Sequence, residues 1–175
     1  METVPLFLPG MLVTAVLAVA TAVPLGRRLG VHPAVAFLLV AGIGLVVSAT
    51  LTPLADALED GVASSGTCDM RRVGWAPLGM YLSPTGAALN LILFVPLGVA
   101  LGLLPSGRRA TRLIIAIGIA SPFLVEGTQL IVRSLGRGCQ AADVVDNVSG
   151  VVLGIILGRA IGTLASRRTD GTGPA

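Results

Sequence analysis

Five long apolar stretches constrain this chain more than any other feature of its sequence. A helix needs about 20 mostly apolar residues, each rising 1.5 Å, to cross the hydrocarbon core of a bilayer. The pattern therefore predicts an all-α, polytopic bundle of about five transmembrane helices, the third being the shortest, in a single membrane domain over residues 1–165. The stretches cover residues 4–25, 33–51, 87–104, 113–132 and 144–164.

The composition excludes the main classes of soluble protein. Only 12% of the residues are charged and 54% are hydrophobic, whereas soluble domains carry roughly 25% charged residues. These figures also exclude a disordered chain, a coiled coil and a small disulfide-packed secreted protein. The basic residues are all arginine and stand in short clusters rather than in one stripe, so the net charge of +3 does not indicate a nucleic-acid partner. The partner that the composition does predict is the lipid bilayer.

Charged residues also predict the orientation of the helices. Eight of the 12 arginines follow the first and third apolar stretches or close the fifth, and cytoplasmic loops are the ones enriched in arginine. We therefore expect an N-terminus outside the cell and a C-terminus inside it. Residues 52–86 would form one long extracytoplasmic loop, and residues 166–175 a disordered cytoplasmic tail. The eight arginines are Arg27, Arg28, Arg108, Arg109, Arg112, Arg159, Arg167 and Arg168.

The long loop carries two further expectations. Pro53 is suited to begin a short helix that runs through Leu58, with Asp56 favourably placed near its N-terminal dipole. Residues 75–81 contain the only tryptophan and the only tyrosine of the chain. Because such rings favour the headgroup layer, this segment is expected to lie on the outer membrane surface; an irregular loop is the alternative.

The two cysteines, Cys68 and Cys139, are predicted to lie on the same, outer side of the membrane. In an oxidising exterior a disulfide between them would close a large loop and stabilise the fold by about 2–4 kcal/mol. The alternative is two unrelated small residues that never approach bonding distance. With only two thiols, and with the sole histidine, His32, predicted inside, no metal site and no cofactor are expected.

Polar side chains within the last three apolar stretches form the candidate site. Ionisable groups inside a membrane cost a few kcal/mol, so they are functional candidates by default. The third and fifth stretches begin outside and the fourth ends there, so these side chains are expected to converge at the outer leaflet. A carboxylate at Glu126 needs a partner, for which Arg133 and Arg137 are the nearest candidates. The predicted site comprises Asn90, Glu126, Gln129, Arg137, Asp143 and Asn147.

Glycines four residues apart recur in the third and fifth stretches. Small residues at this spacing allow helix backbones to pack closely in lipid. We expect them to serve helix packing rather than ligand contact. They are Gly98, Gly102, Gly150, Gly154 and Gly158.

Three motifs, in this order, resemble the VanZ-like family. They are Asn90-Leu-Ile-Leu-Phe-Val-Pro-Leu-Gly98, Glu126-Gly-Thr-Gln129 and Arg137-Gly-Cys-Gln-Ala-Ala-Asp143-Val-Val-Asp-Asn147-Val-Ser-Gly150-Val-Val-Leu-Gly154. The resemblance covers about residues 87–158. It implies a small, multi-helix protein of the bacterial cell membrane in which the six polar residues named above are shared positions. The namesake of the family is linked to low-level resistance to the glycopeptide antibiotic teicoplanin.

The chain departs from the family pattern at three positions. Gln140 and Ala142 stand where members usually carry further acidic residues, and Asp146 is not part of the usual pattern. The resemblance therefore does not extend to an acid-rich version of the site.

Several functions are compatible with such a cluster. The first is recognition of an amphiphile, such as a lipidated glycopeptide or a cell-envelope lipid, by a pocket in which Glu126, Arg137 and Asp143 form an ion-pair network. The second is an intramembrane enzyme acting on an envelope lipid or phosphate ester, with two carboxylates as acid and base. No nucleophile–base pair and no catalytic signature stands in the sequence, so the enzyme is disfavoured and no catalytic residue is assigned. A transporter fits poorly because the chain has no internal repeat, although a homo-oligomer could still enclose a path. A fourth alternative is a polar cluster that only packs the helices together, which needs no ligand.

Overall fold

Helices account for most of the chain, in the places where the apolar stretches predicted them. The computed structural model describes residues 4–170. In chain order, its elements are α1 (Phe7–Leu29), α2 (Pro33–Thr50), α3 (Ala55–Glu59), β1 (Cys68–Asp69), α4 (Leu78–Tyr81), α5 (Gly86–Gly102), α6 (Arg109–Ile131), a 3-10 helix (Arg133–Leu135), β2 (Cys139–Gln140) and α7 (Ala141–Asp170).

Four helices, α1, α2, α6 and α7, are long and apolar enough to cross a membrane. Helix α5 is equally apolar but has 17 residues, which is about 25 Å of helix against a hydrocarbon core of about 30 Å. It is nevertheless central, since it packs against α2, α6 and α7. The predicted all-α polytopic bundle is confirmed, and a membrane crossing by α5 stays a prediction.

Apolar side chains cover the outside of the bundle as well as its core. On α1, Leu8, Leu12, Val16 and Val19 are each 68–70% exposed, whereas Phe94 of α5 is fully buried. Soluble monomers rarely expose contiguous apolar surface of this extent. A helix whose outer face is this apolar is solvated by lipid.

The closest helix pair is α5 with α7, and glycines bring the two backbones together. A Cβ added to Gly98 would lie 2.3 Å from the carbonyl oxygen of Val151 and 2.8 Å from the Cα of Gly154. Gly102 and Gly158 face each other in the same way one turn further on. The five glycines assigned to packing by their spacing, each of which lies against backbone of the facing helix, are Gly98, Gly102, Gly150, Gly154 and Gly158.

We expect Gly154→Ala to lower the free energy of unfolding by about 1–3 kcal/mol, the usual cost of overpacking. The added methyl would lie 2.4 Å from the carbonyl oxygen of Val95 and 2.7 Å from the Cα of Gly98, so the helices must separate. Gly162→Ala, in the same register of α7, is the matched control, because its Cβ would meet only Leu103 Cδ2, at 3.9 Å. Chemical unfolding in detergent measures both variants, and equal destabilisation would contradict glycine-mediated packing.

The two ends of the bundle differ in charge. At one end, Arg108 Nη1 lies 3.5 Å from the carbonyl oxygen of Arg28, and Arg159 Nη1 donates to the carbonyl of Leu104 at 3.0 Å. The opposite end carries the long loop that joins α2 to α5, together with the predicted polar site. This separation is what the orientation prediction requires, and the orientation itself stays a prediction.

Two segments need correction at their ends. The short helix α3 begins at Ala55 rather than at Pro53, with Leu54 as its N-cap and Asp56 in its first turn. Helix α7 continues to Asp170, which moves the start of the predicted tail beyond residue 166. Alanine and arginine are good helix formers, and basic residues near the C-terminus of a helix interact favourably with its dipole. The helix therefore continues beyond its apolar stretch. The rest of the predicted tail, residues 171–175, lies outside the described residues.

Candidate functional site

All six polar residues of the predicted site line one cavity of about 670 Å³. The cavity lies where the C-terminal ends of α2 and α6 meet the N-terminal ends of α5 and α7, at the loop-bearing end of the bundle. Its polar lining is Thr50, Asn90, Glu126, Gln129, Arg137, Gln140, Asp143 and Asn147. Its apolar lining includes Phe7, Leu45, Leu89, Ile92 and Leu93. The lining of the cavity thus combines polar and apolar side chains.

Glu126 is only 4% exposed and has a backbone partner. Its Oε2 accepts a hydrogen bond of 2.8 Å from the N–H of Gln140, the residue directly before α7. The first N–H groups of a helix lack intrahelical partners and carry the positive end of its dipole, so they suit a carboxylate. Arg133, one of the two partners predicted for Glu126, instead donates through Nε to the carbonyl of Ser64 at 3.0 Å.

Gln129 and Arg137 connect the site to the end of α2. Gln129 Nε2 donates to the carbonyl of Thr50 at 3.0 Å, and Arg137 Nε donates to the carbonyl of Thr52 at 3.1 Å. The last carbonyls of a helix have no intrahelical donor, so Gln129 satisfies a carbonyl at the end of α2 that would otherwise be left open. Arg137 binds a carbonyl in the loop just after this helix. Ion pairing among Glu126, Arg137 and Asp143 stays a prediction.

Asp143 and Asn147 lie one turn apart on α7 and face the same cavity. The Asp143 carboxylate lies close enough to Glu126 for the two to interact electrostatically, and it also interacts with the side-chain amide of Asn90. Asn147 is 1% exposed, and its Oδ1 has no hydrogen-bond partner among the described residues. Asn90 and Asp143 also line a second, adjoining cavity of about 460 Å³, next to Arg71 and Arg72 of the loop.

The structure contains a second polar cluster, formed around the buried side chain of Asp146, that was not predicted from the sequence. Asp146 on α7 is fully buried, and its Oδ2 pairs with Arg72 Nη2 at 2.7 Å. The hydroxyl of Tyr81 donates to the other oxygen of the carboxylate. The hydrogen bond that Arg72 itself makes to Asp146 raises the pKa of Arg72. Burial, followed by the hydrogen bond to Asp146, raises the pKa of Tyr81. The available signals were an unusual aspartate in the fifth stretch and the sole tyrosine in the loop.

The aromatic segment 75–81 lies against α7. Trp75 is 78% exposed, yet its Nε1 donates to Ser149 Oγ at 3.0 Å. Tyr81 Oη also accepts the N–H of Ala76 at 3.2 Å. The segment is therefore fixed to the bundle, while its contact with the membrane surface stays a prediction.

Cys68 and Cys139 lie at disulfide distance, with their Cα atoms 4.5 Å apart. They face each other in the parallel β1–β2 pair, in which Asp69 is opposite Gln140. The sequence alone does not determine whether the two cysteines approach each other. In the structure they do. Because Cys139 precedes Gln140, the cysteine pair lies directly beside the N–H that Glu126 binds.

Metal ligation receives no support from the described residues, in which no group of three or more His, Cys, Asp or Glu side chains is arranged to hold an ion. The only histidine, His32, caps α2, accepting the N–H of Ala34 on Nδ1 at 3.2 Å.

The sequence profile of the VanZ/LLP1 family matches residues 40–162. This range runs from α2 to α7 and contains the six predicted site residues, the cysteine pair and the Asp146 cluster. No curated protein and no solved structure matched the chain.

Proposed function

We propose, from the premise that this chain belongs to the VanZ/LLP1 family, that it is a bacterial cell-membrane protein whose cavity binds the headgroup of an amphiphile in the outer leaflet. The ligand would be a lipidated glycopeptide or a cell-envelope lipid, and its capture would contribute to low-level glycopeptide resistance. The observation that carries the proposal is the mixed lining of the cavity, which combines buried polar side chains with apolar side chains.

Part of the apolar lining of the cavity is also exposed on the outside of the bundle. Leu89 and Ile92 of α5 line the cavity and are 58% and 61% exposed. Side chains with this exposure on a helix in lipid contact acyl chains. An amphiphile could therefore keep its tail in the membrane while its headgroup reaches Glu126 and Asn147. Ligand sites of this kind combine an apolar wall with a few polar groups that fix orientation.

The arginine distribution supports a position of the cavity in the outer leaflet. The loop-bearing end of the bundle lacks the eight arginines that predict the cytoplasmic side. An N-terminus outside and a C-terminus inside the cell would place the cavity where lipidated antibiotics and envelope precursors are exposed.

We expect Glu126→Gln to return glycopeptide susceptibility to that of cells lacking the protein, while the protein stays in the membrane. The substitution keeps the size of the side chain and removes the ionisable carboxyl group from the lining of the cavity. The measurement is the inhibitory concentration of a lipidated and an unlipidated glycopeptide in a sensitive host. Only the lipidated compound should show the effect.

Glu59→Gln is the matched control, since Glu59 is exposed in α3 at the same end of the bundle and does not line the cavity. It should leave resistance unchanged. Full resistance in Glu126→Gln at normal membrane levels would exclude the proposal.

One observation favours a second candidate. Glu126 and Asp143 share the cavity, and two carboxylates whose pKa values are separated by their surroundings can act as acid and base. An intramembrane enzyme would turn over an envelope lipid or phosphate ester, and loss of turnover in Asp143→Asn would support it over binding alone.

A further inference from the structure

A mainly apolar groove of about 440 Å³ lies between α1 and α2, and it shares no residue with the polar cavity. Its lining on α1 runs from Leu17 to Arg28, and Val40 contributes from α2. Leu17 and Arg28 are eleven residues apart, which is about 16 Å of helix. One leaflet of a bilayer has a hydrocarbon depth of about 15 Å. The groove therefore has the length of an acyl chain in one leaflet, with a charged residue at one end.

Arg28 is the group that this groove offers to a headgroup. The other polar side chain of the lining, Thr21, already donates its hydroxyl to the carbonyl of Leu17 at 2.6 Å. Arg28 is exposed, and neither of the two ion pairs among the described residues includes it. A guanidinium keeps its charge at physiological pH and presents five N–H donors that suit a phosphate.

The positive charge at this end of the bundle has no acidic counterpart nearby in the sequence. Residues 25–33, 103–113 and 158–167 form this end and contain seven arginines but no aspartate or glutamate. The next acidic residue along the chain, Asp170, is the last residue of α7. At the opposite end, in contrast, Arg71 and Arg72 each pair with an aspartate. An anionic headgroup is therefore attracted to the arginine-rich end.

A second arginine lies beside Arg28. The Nη1 atom of Arg108, from the segment before α6, is 3.5 Å from the carbonyl oxygen of Arg28. Two guanidinium groups are thus available near the same end of the groove. A second copy of the chain packed here in parallel would bring its own arginines against them, whereas an anionic lipid would neutralise them.

We propose that the groove between α1 and α2 binds an acyl chain of an anionic phospholipid, with Arg28 donating to the phosphate and Arg108 adding to the attraction. The site is separate from the polar cavity and does not rest on the function proposed for it. The arginine-rich end is the one predicted to face the cytoplasm, so the lipid would belong to the inner leaflet.

The experiment compares dioleoyl phosphatidylglycerol, dioleoyl phosphatidylcholine and glycerol phosphate, which has the phosphate but no acyl chain. The full chain is purified in a non-ionic detergent, and the apparent Kd of each compound is taken from the dependence of Tm on its concentration. One arginine near a membrane surface favours an anionic lipid by about fivefold. With two arginines we expect phosphatidylglycerol to bind about 25-fold more tightly than phosphatidylcholine, and glycerol phosphate to leave the Tm unchanged. Arg28→Gln should reduce the preference to about fivefold.

Arg112→Gln is the matched control, because it removes the same charge from an exposed position at the same end of the bundle. Arg112 lies on α6 and does not line the groove, so the preference should stay near its original value. An equal loss in both variants would overturn the proposal, since the attraction would then be diffuse. Equal binding of the two lipids would also overturn it, and a Tm shift with glycerol phosphate as large as that with phosphatidylglycerol would show a phosphate site without an acyl chain. None of these outcomes affects the polar cavity at the other end.

Discussion

Replacing Arg72 by leucine is expected to lower the free energy of unfolding by about 3 kcal/mol, toward the lower end of the cost of breaking a buried ion pair. The cost arises at Asp146, which is fully buried and would lose its charged partner. Tyr81 would still donate to the carboxylate, and this remaining hydrogen bond limits the loss. Chemical unfolding of the full chain in a mild detergent, followed by circular dichroism, measures the change.

The neighbouring arginine provides the control for this prediction. The side chain of Arg71 is 90% exposed and pairs with Asp69, so Arg71→Leu should have little or no effect, as is usual for exposed pairs. Asp146→Asn should cost less than Arg72→Leu, because the side chain of Arg72 is 31% exposed and can turn toward water. Equal effects of the two arginine substitutions would contradict a specific role of the Arg72–Asp146 pair.

This ion pair also marks a limit of what could be predicted from sequence. Arg72 and Asp146 are 74 residues apart, and nothing in helix periodicity relates a loop arginine to one aspartate of a distant helix. The sequence did indicate that Asp146 departs from the family pattern. The structure gives a physical reason for an acid there, since it holds the aromatic loop against α7.

The fold was predictable because hydrophobic length determines where helices cross a membrane. The residues at which the helices begin and end were less predictable. Helix α6 begins at Arg109 and α7 at Ala141, each a few residues before the apolar stretch from which it was predicted. Polar side chains at helix ends reach water or capping partners, so a helix extends beyond the residues that lipid requires to be apolar.

Convergence of the six site residues was predictable from helix direction alone, since alternating helices bring the end of one beside the start of the next. The hydrogen-bond partners of these residues were not predictable. Glu126 pairs with the N–H of Gln140, and Gln129 pairs with the carbonyl of Thr50. Both partners are backbone groups, which carry no residue-specific signal, so the sequence instead favoured a guanidinium for Glu126.

The cysteine pair connects the long loop to the backbone segment that donates the hydrogen bond to Glu126. Cys68 and Cys139 lie opposite each other in the β1–β2 pair, 71 residues apart in sequence. The N–H of the next residue, Gln140, is the donor to Glu126. A covalent bond at Cys139 would therefore restrict the movement of the donor that holds the buried carboxylate.

We expect Cys68 and Cys139 to be oxidised in cell membranes, and the double Cys→Ser variant to lose about 2–4 kcal/mol of stability. A thiol-reactive polyethylene-glycol maleimide should label neither cysteine until the protein is reduced, and then both. The reductant should lower the Tm of the native chain toward that of the double-serine variant and leave the variant itself unchanged. Because cytosolic thiols are kept reduced, oxidation in intact cells would also support an outer position of the cavity. Labelling of both cysteines without reductant would contradict the disulfide and would remove this support for the proposed orientation.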